Sequence, residues 1–131
     1  MTEQDTNPDW NQKAAAINFE TRAFIDGDYR ISNEKEFFTT VNPATGCELA
    51  AFADADSNSI DQAVTAARKA LSQWRYVAPD QRKALLLAVA DRIDVERDTL
   101  ALLDCLEMGM PISMALEQVD GAAGFLRYYA E

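Results

Sequence analysis

Two thiols are the side chains in this sequence best suited to nucleophilic chemistry. Cys47 and Cys105 are the only cysteines, and the 131 residues contain no histidine. A thiolate attacks an electrophilic carbon efficiently only when a neighbouring cation or a helix N-terminus brings its pKa down. Neither cysteine has a His or Lys beside it in sequence to do this. The absence of His and of any Cys-x-x-Cys pair excludes the usual zinc sites, dithiol redox motifs and His-dependent triads. Gly121-x-x-Gly124 looks like part of a dinucleotide loop. However, it falls inside a helical pattern, not at the strand-to-helix junction where a pyrophosphate meets free N–H groups. Both cysteines therefore read as structural or incidental, the glycine pair receives no cofactor role, and no catalytic residue is assigned.

The elements that would position such groups are legible from periodicity and turn chemistry. Residues 1–22 read as a polar tail, with Ala14-Ala15-Ala16-Ile17 able to form one or two helical turns. Asp26-Gly27, flanked by Phe24-Ile25 and Asp28-Tyr29, is a hairpin signal because a type I′ turn needs positive φ at both central residues. Phe37 to Val41 reads as a strand, Asn42-Pro43-Ala44-Thr45-Gly46 as a turn, and Glu48 to Ala53 as the returning strand. A capping-box spacing at Ser59 and Gln62 predicts the start of a helix with Ile60, Val64, Ala67, Leu71 and Trp74 on one face. A second helix is predicted from Pro79-Asp80 with Leu85, Leu86, Val89 and Ile93 on one face. A break near Asp94 to Arg97 precedes a restart at Leu100, Leu103 and Leu106, which Gly109-Met110-Pro111 terminates. The last helix runs from about Ile112 through Leu116, Val119, Ala123, Leu126 and Tyr129. The internal Gly121 and Gly124 predict close packing there, since each costs about 1 kcal/mol relative to Ala.

Composition narrows the possible partners. A hydrophobic fraction of 48% with 9% aromatics suits one folded domain, 23–131 after the tail. The net charge of −10 argues against nucleic acid, whose binding depends on Lys and Arg displacing counterions. The polar, acidic amino terminus carries neither the basic nor the apolar region of a secretory signal, so a cytoplasmic protein is expected. The longest apolar run, Ala84 to Ala90, is far short of the roughly 20 residues needed to cross a bilayer, so no membrane partner is expected.

The order of these segments resembles the amino-terminal part of the NAD(P)-dependent aldehyde dehydrogenase superfamily. Phe24-Ile25-Asp26-Gly27-Asp28 is similar to the family's Phe-Ile-Asn-Gly-Glu opening, and Val41-Asn42-Pro43-Ala44-Thr45-Gly46 to its Val-Asn-Pro-x-Thr-Gly turn. Ala63-Val64-x-x-Ala67-Arg68-x-Ala70 with Trp74, Arg82 to Asp91, Leu106-Glu107-Met108-Gly109-Met110-Pro111 and Gly121-Ala122-Ala123 continue the likeness. Arg127-Tyr128-Tyr129-Ala130-Glu131 is similar to members acting on aminoaldehydes such as γ-glutamyl-γ-aminobutyraldehyde. The likeness covers nearly everything after Thr21, and its strength lies in order and spacing together.

The resemblance implies an incomplete α/β fold. A β-ribbon, contributing to the oligomerisation region, is followed by amphipathic helices that in the full family fold pack on a Rossmann-like nucleotide-binding sheet. It implies a chemistry of thiolate attack, hydride transfer to NAD or NADP and glutamate-assisted hydrolysis, none of whose motifs matches a residue between Met1 and Glu131. The chain alone is therefore expected to bind no cofactor and to be inactive unless a complementary chain completes it, and its expected partners are a complementary dehydrogenase chain or further copies in a homo-oligomer. The resemblance also implies a sodium or potassium site using main-chain oxygens of Thr40 and Val41 and the side chain of Glu107, with Met110 standing where the family usually has Lys. Two other readings stay open: a stand-alone module that binds another subunit through exposed apolar faces, and a decayed gene product. Without the nucleotide-binding sheet, the Leu85/Val89/Ile93 and Leu100/Leu103 faces are expected to bury one another in the lone chain.

Overall fold

The computed structural model describes residues 9–31 and 36–131. Five helices and two antiparallel hairpins follow in the order α1 (Trp10–Ala15), β1 (Ala23–Ile25), β2 (Asp28–Arg30), β3 (Phe37–Val41), β4 (Glu48–Ala53), α2 (Ser57–Trp74), α3 (Pro79–Val95), α4 (Arg97–Met108) and α5 (Ile112–Ala130). Positive φ at Asp26 (55°) and Gly27 (86°) makes the first hairpin's turn, as the Asp-Gly pair predicts. β1 and β2 pair Phe24 with Tyr29, whose rings meet edge to face at 5.1 Å. β3 and β4 pair from Phe37↔Ala53 to Val41↔Glu48, with a bulge between Thr40 and Val41.

The helix boundaries follow from local chemistry. α2 begins two residues before the predicted cap: Asp56, not Ser59, is the N-cap, and its carboxylate accepts from the Ser59 N–H at 2.7 Å. The carboxylate, at the helix's positive end, satisfies a donor that would otherwise be orphaned, while Ser59 is buried one turn in. The Asp56-x-x-Ser59 spacing carried that signal. α3 starts with Pro79 at its first turn, where a missing N–H costs nothing, and places Asp80 there as well. Glu96 interrupts the ladder between α3 and α4, at the break the apolar pattern predicts. α4 stops at Gly109, left-handed with φ 71° and ψ 21°.

α3, α4 and α5 form the packed body, with α5 against both others. Its core is made of small side chains: Ala101, Ala115 and Val119 are buried, with Ile93, Leu100, Cys105, Met110, Ile112 and Leu116 packed around them. Ala90, Leu102, Ala123 and Ala130 are also buried. Alanine at these crossings lets helix backbones approach closely, but each contributes less buried apolar area than a Leu or Val would. Ionic clamps at the bundle's surface add to it. Arg97 makes a two-pronged contact with Asp120 at 2.5 and 2.7 Å, tying α4 to α5, and Arg127 on α5 reaches Asp91 at 2.8 Å and Asp94 at 2.5 Å on α3. α1 reaches the same body through an ion pair between Lys13 and Asp98.

Two expectations from the sequence need correction, the mutual burial of the α3 and α4 faces and the close packing at Gly121 and Gly124. Leu85 and Val89 remain 51% and 43% exposed, while Leu86 and Ile93 are half-buried and Ala90 is the α3 residue buried completely. The α2 stripe is also solvent-facing, because α2 leans on β1 through its opposite side. Gly121 and Gly124 meet nothing within 4 Å where a side chain would begin, so no close approach within the chain accounts for them.

Candidate functional site

The second hairpin's turn is a tightly bonded unit. The Asn42 N–H donates to the Cys47 carbonyl at 2.8 Å, and the Asn42 carbonyl accepts from Thr45 and Gly46 at 3.3 and 2.7 Å. The Asn42 side-chain oxygen accepts from the Ala44 N–H at 2.9 Å, and Thr45 Oγ1 accepts from the Cys47 N–H at 3.2 Å. This turn docks at the end of α4. A Cβ built on Gly109 would lie 3.0 Å from Pro43 Cγ, tighter than ordinary van der Waals contact. Pro43 follows Val41 by two residues and Gly109 follows Glu107 by two, so this contact draws the segments bearing Thr40, Val41 and Glu107 toward each other.

Thr40 and Val41 carry main-chain oxygens and Glu107 a carboxylate, the ligand type a hard cation takes. Thr40 is half-buried, and its hydroxyl donates to the Ala50 carbonyl at 3.4 Å, leaving its main chain at the bulge where the ladder is interrupted. Val41 is half exposed, and Glu107 is exposed on the last turn of α4. No group of three or more Cys, Asp or Glu side chains suited to a metal occurs among the described residues, so a cation here would rely on main-chain oxygens with one carboxylate. Glu107 also lines an open groove of about 610 Å³ between the segment after α1 and α4, with Lys13, Phe19, Phe52 and Leu103 among its walls. On the groove's rim, the Arg22 guanidinium hydrogen-bonds Glu20 at 2.7 Å and brings that carboxyl down to about 2.

Cys105 packs against the helical core. Burial pushes the Cys105 thiol up, and the Asp104 carboxylate pushes it the same way, opposite to what a nucleophile needs. Cys47 is a free, exposed thiol beside the turn. Met110 tucks against the helical core, where the lysine of the family pattern would bring a charge. Gly121 and Gly124 lie within α5, with no strand leading into them, so these residues do not form a dinucleotide cradle.

Residues 29–131 match the aldehyde dehydrogenase family. The chain is 40% identical over 125 residues to the NADP/NAD-dependent aldehyde dehydrogenase PuuC of Escherichia coli K12, covering 93% of this chain and 25% of that protein. Its fold superposes on the crystal structure of γ-glutamyl-γ-aminobutyraldehyde dehydrogenase from Burkholderia cenocepacia with a TM-score of 0.89 at 38% identity, again over 93% of this chain and 25% of the other. The P. syringae AldA indole-3-acetaldehyde dehydrogenase, in complex with NAD+, gives a TM-score of 0.88 at 36% identity over the same shares. The chain thus spans about a quarter of the length of the relatives it matches.

Proposed function

This chain belongs to the aldehyde dehydrogenase family, and we propose that it supplies the amino-terminal section of an NAD(P)-dependent aldehyde dehydrogenase acting on an aminoaldehyde, the catalytic and cofactor-binding groups coming from the remaining three-quarters of the family fold. The observation that carries this reading is the extent of the match, which takes in 93% of the chain while leaving three-quarters of each relative without a counterpart here. The Cys105 thiol, pushed up by burial and Asp104, and the placement of Gly121 and Gly124 inside α5 support it. The aminoaldehyde class rests on the likeness to the B. cenocepacia enzyme, and NAD or NADP on the likeness to PuuC. The role of the chain's own residues is structural: the turn at Asn42 to Gly46, seated on Gly109, fixes the hairpin against the end of α4.

Thr40 and Val41 would hold a monovalent cation through their main-chain oxygens, and Glu107 through its carboxylate. A bound cation supplies charge neutralisation at this junction. The cytoplasm is the proposed compartment, supported by two free thiols. No helix among the described residues is long and apolar enough to cross a membrane.

The test is NAD(P)H formation from γ-glutamyl-γ-aminobutyraldehyde by the purified chain, alone and mixed with a PuuC polypeptide lacking its first quarter. Turnover only in the mixture is expected. Turnover by residues 1–131 alone rejects the assignment of the catalytic groups to the rest of the fold, and a silent mixture rejects the amino-terminal role.

A further inference from the structure

We draw no further inference here: the strongest candidate, the groove between the segment after α1 and α4 with Phe19, Phe52 and Leu103 in its walls, carries nothing because the chain spans about a quarter of the length of its relatives and nothing in the structure shows what covers that groove.

Discussion

Gly46 and Gly109 offer a controlled comparison at the two ends of the junction between the hairpin and α4. They share a left-handed backbone, with φ of 72° and 71°. They differ in surroundings, because a Cβ on Gly46 meets nothing within 4 Å, whereas one on Gly109 falls 3.0 Å from Pro43 Cγ and 3.8 Å from its Cβ. An L-side chain in this conformation costs about 1–2 kcal/mol. The stiffer unfolded chain returns about 0.4–1 kcal/mol of that. Gly46→Ala should therefore cost about 1 kcal/mol, the backbone strain alone. Gly109→Ala should bear the same strain together with the crowding of Pro43, for about 2–4 kcal/mol in total. Urea unfolding reads the difference as a midpoint lower by roughly 1 M for Gly109→Ala than for Gly46→Ala, with the slope unchanged. Placing Gly109→Ala in a Pro43→Ala background should remove the crowding and leave a cost near that of Gly46→Ala. Equal costs for the two single variants, or no coupling between Gly109 and Pro43, would refute the seating of the turn on α4 and with it the approach of Thr40 and Val41 to Glu107.

Two further expectations concern the ionisable groups. The Arg97 guanidinium holds Asp120 below its usual range, and the Ser59 hydroxyl and N–H do the same for Asp56. Depressed carboxyl pKa values contribute stability that is present above the unfolded value near 3.9 and is lost as pH falls through the folded values. Acid titration followed by circular dichroism should therefore show helical signal lost below about pH 4, with Asp120→Asn less sensitive over that window than the parent chain. The thiols should also separate kinetically: Cys47, exposed, should react with a thiol reagent at pH 8 well before Cys105, which is half-buried and pushed up by burial and Asp104. Labelling of Cys105 at the same rate as Cys47 would show that α4 opens without global unfolding.

Turn and cap chemistry made much of the local fold legible. Asp26-Gly27, Asn42 to Gly46 and Gly109 each demand a backbone conformation that few alternatives satisfy, and the hairpins and the end of α4 fall where those residues dictate. The Ser59 and Gln62 spacing pointed to the correct helix but the wrong cap, because an Asp three residues earlier competes for the same N–H and wins through its charge at the helix's positive end. The Pro43–Gly109 contact could not be read beforehand, since it joins positions 66 residues apart in sequence. Nor could the ionic clamps of Arg97 and Arg127, whose partners depend on how α3, α4 and α5 cross.

Periodicity predicts that a face is apolar, but not what covers it. The stripe on α2 and the Leu85/Val89 edge of α3 have the amphipathic spacing of buried faces, yet the chain packs its helices through alanines and leaves those stripes in water. A core built on Ala101, Ala115, Ala123 and Ala130 brings helices close together at the expense of buried area. Uncovered Ile, Leu, Val and Trp side chains each forgo roughly 1.5–3 kcal/mol of transfer free energy, which is large beside typical net stabilities of about 5–15 kcal/mol. Association that covers α2 should therefore raise the chain's own stability, and a rise in the urea midpoint with protein concentration would be the sign of it. A midpoint independent of concentration would mean that the alanine-lined bundle and its ionic clamps hold the fold without help from that face.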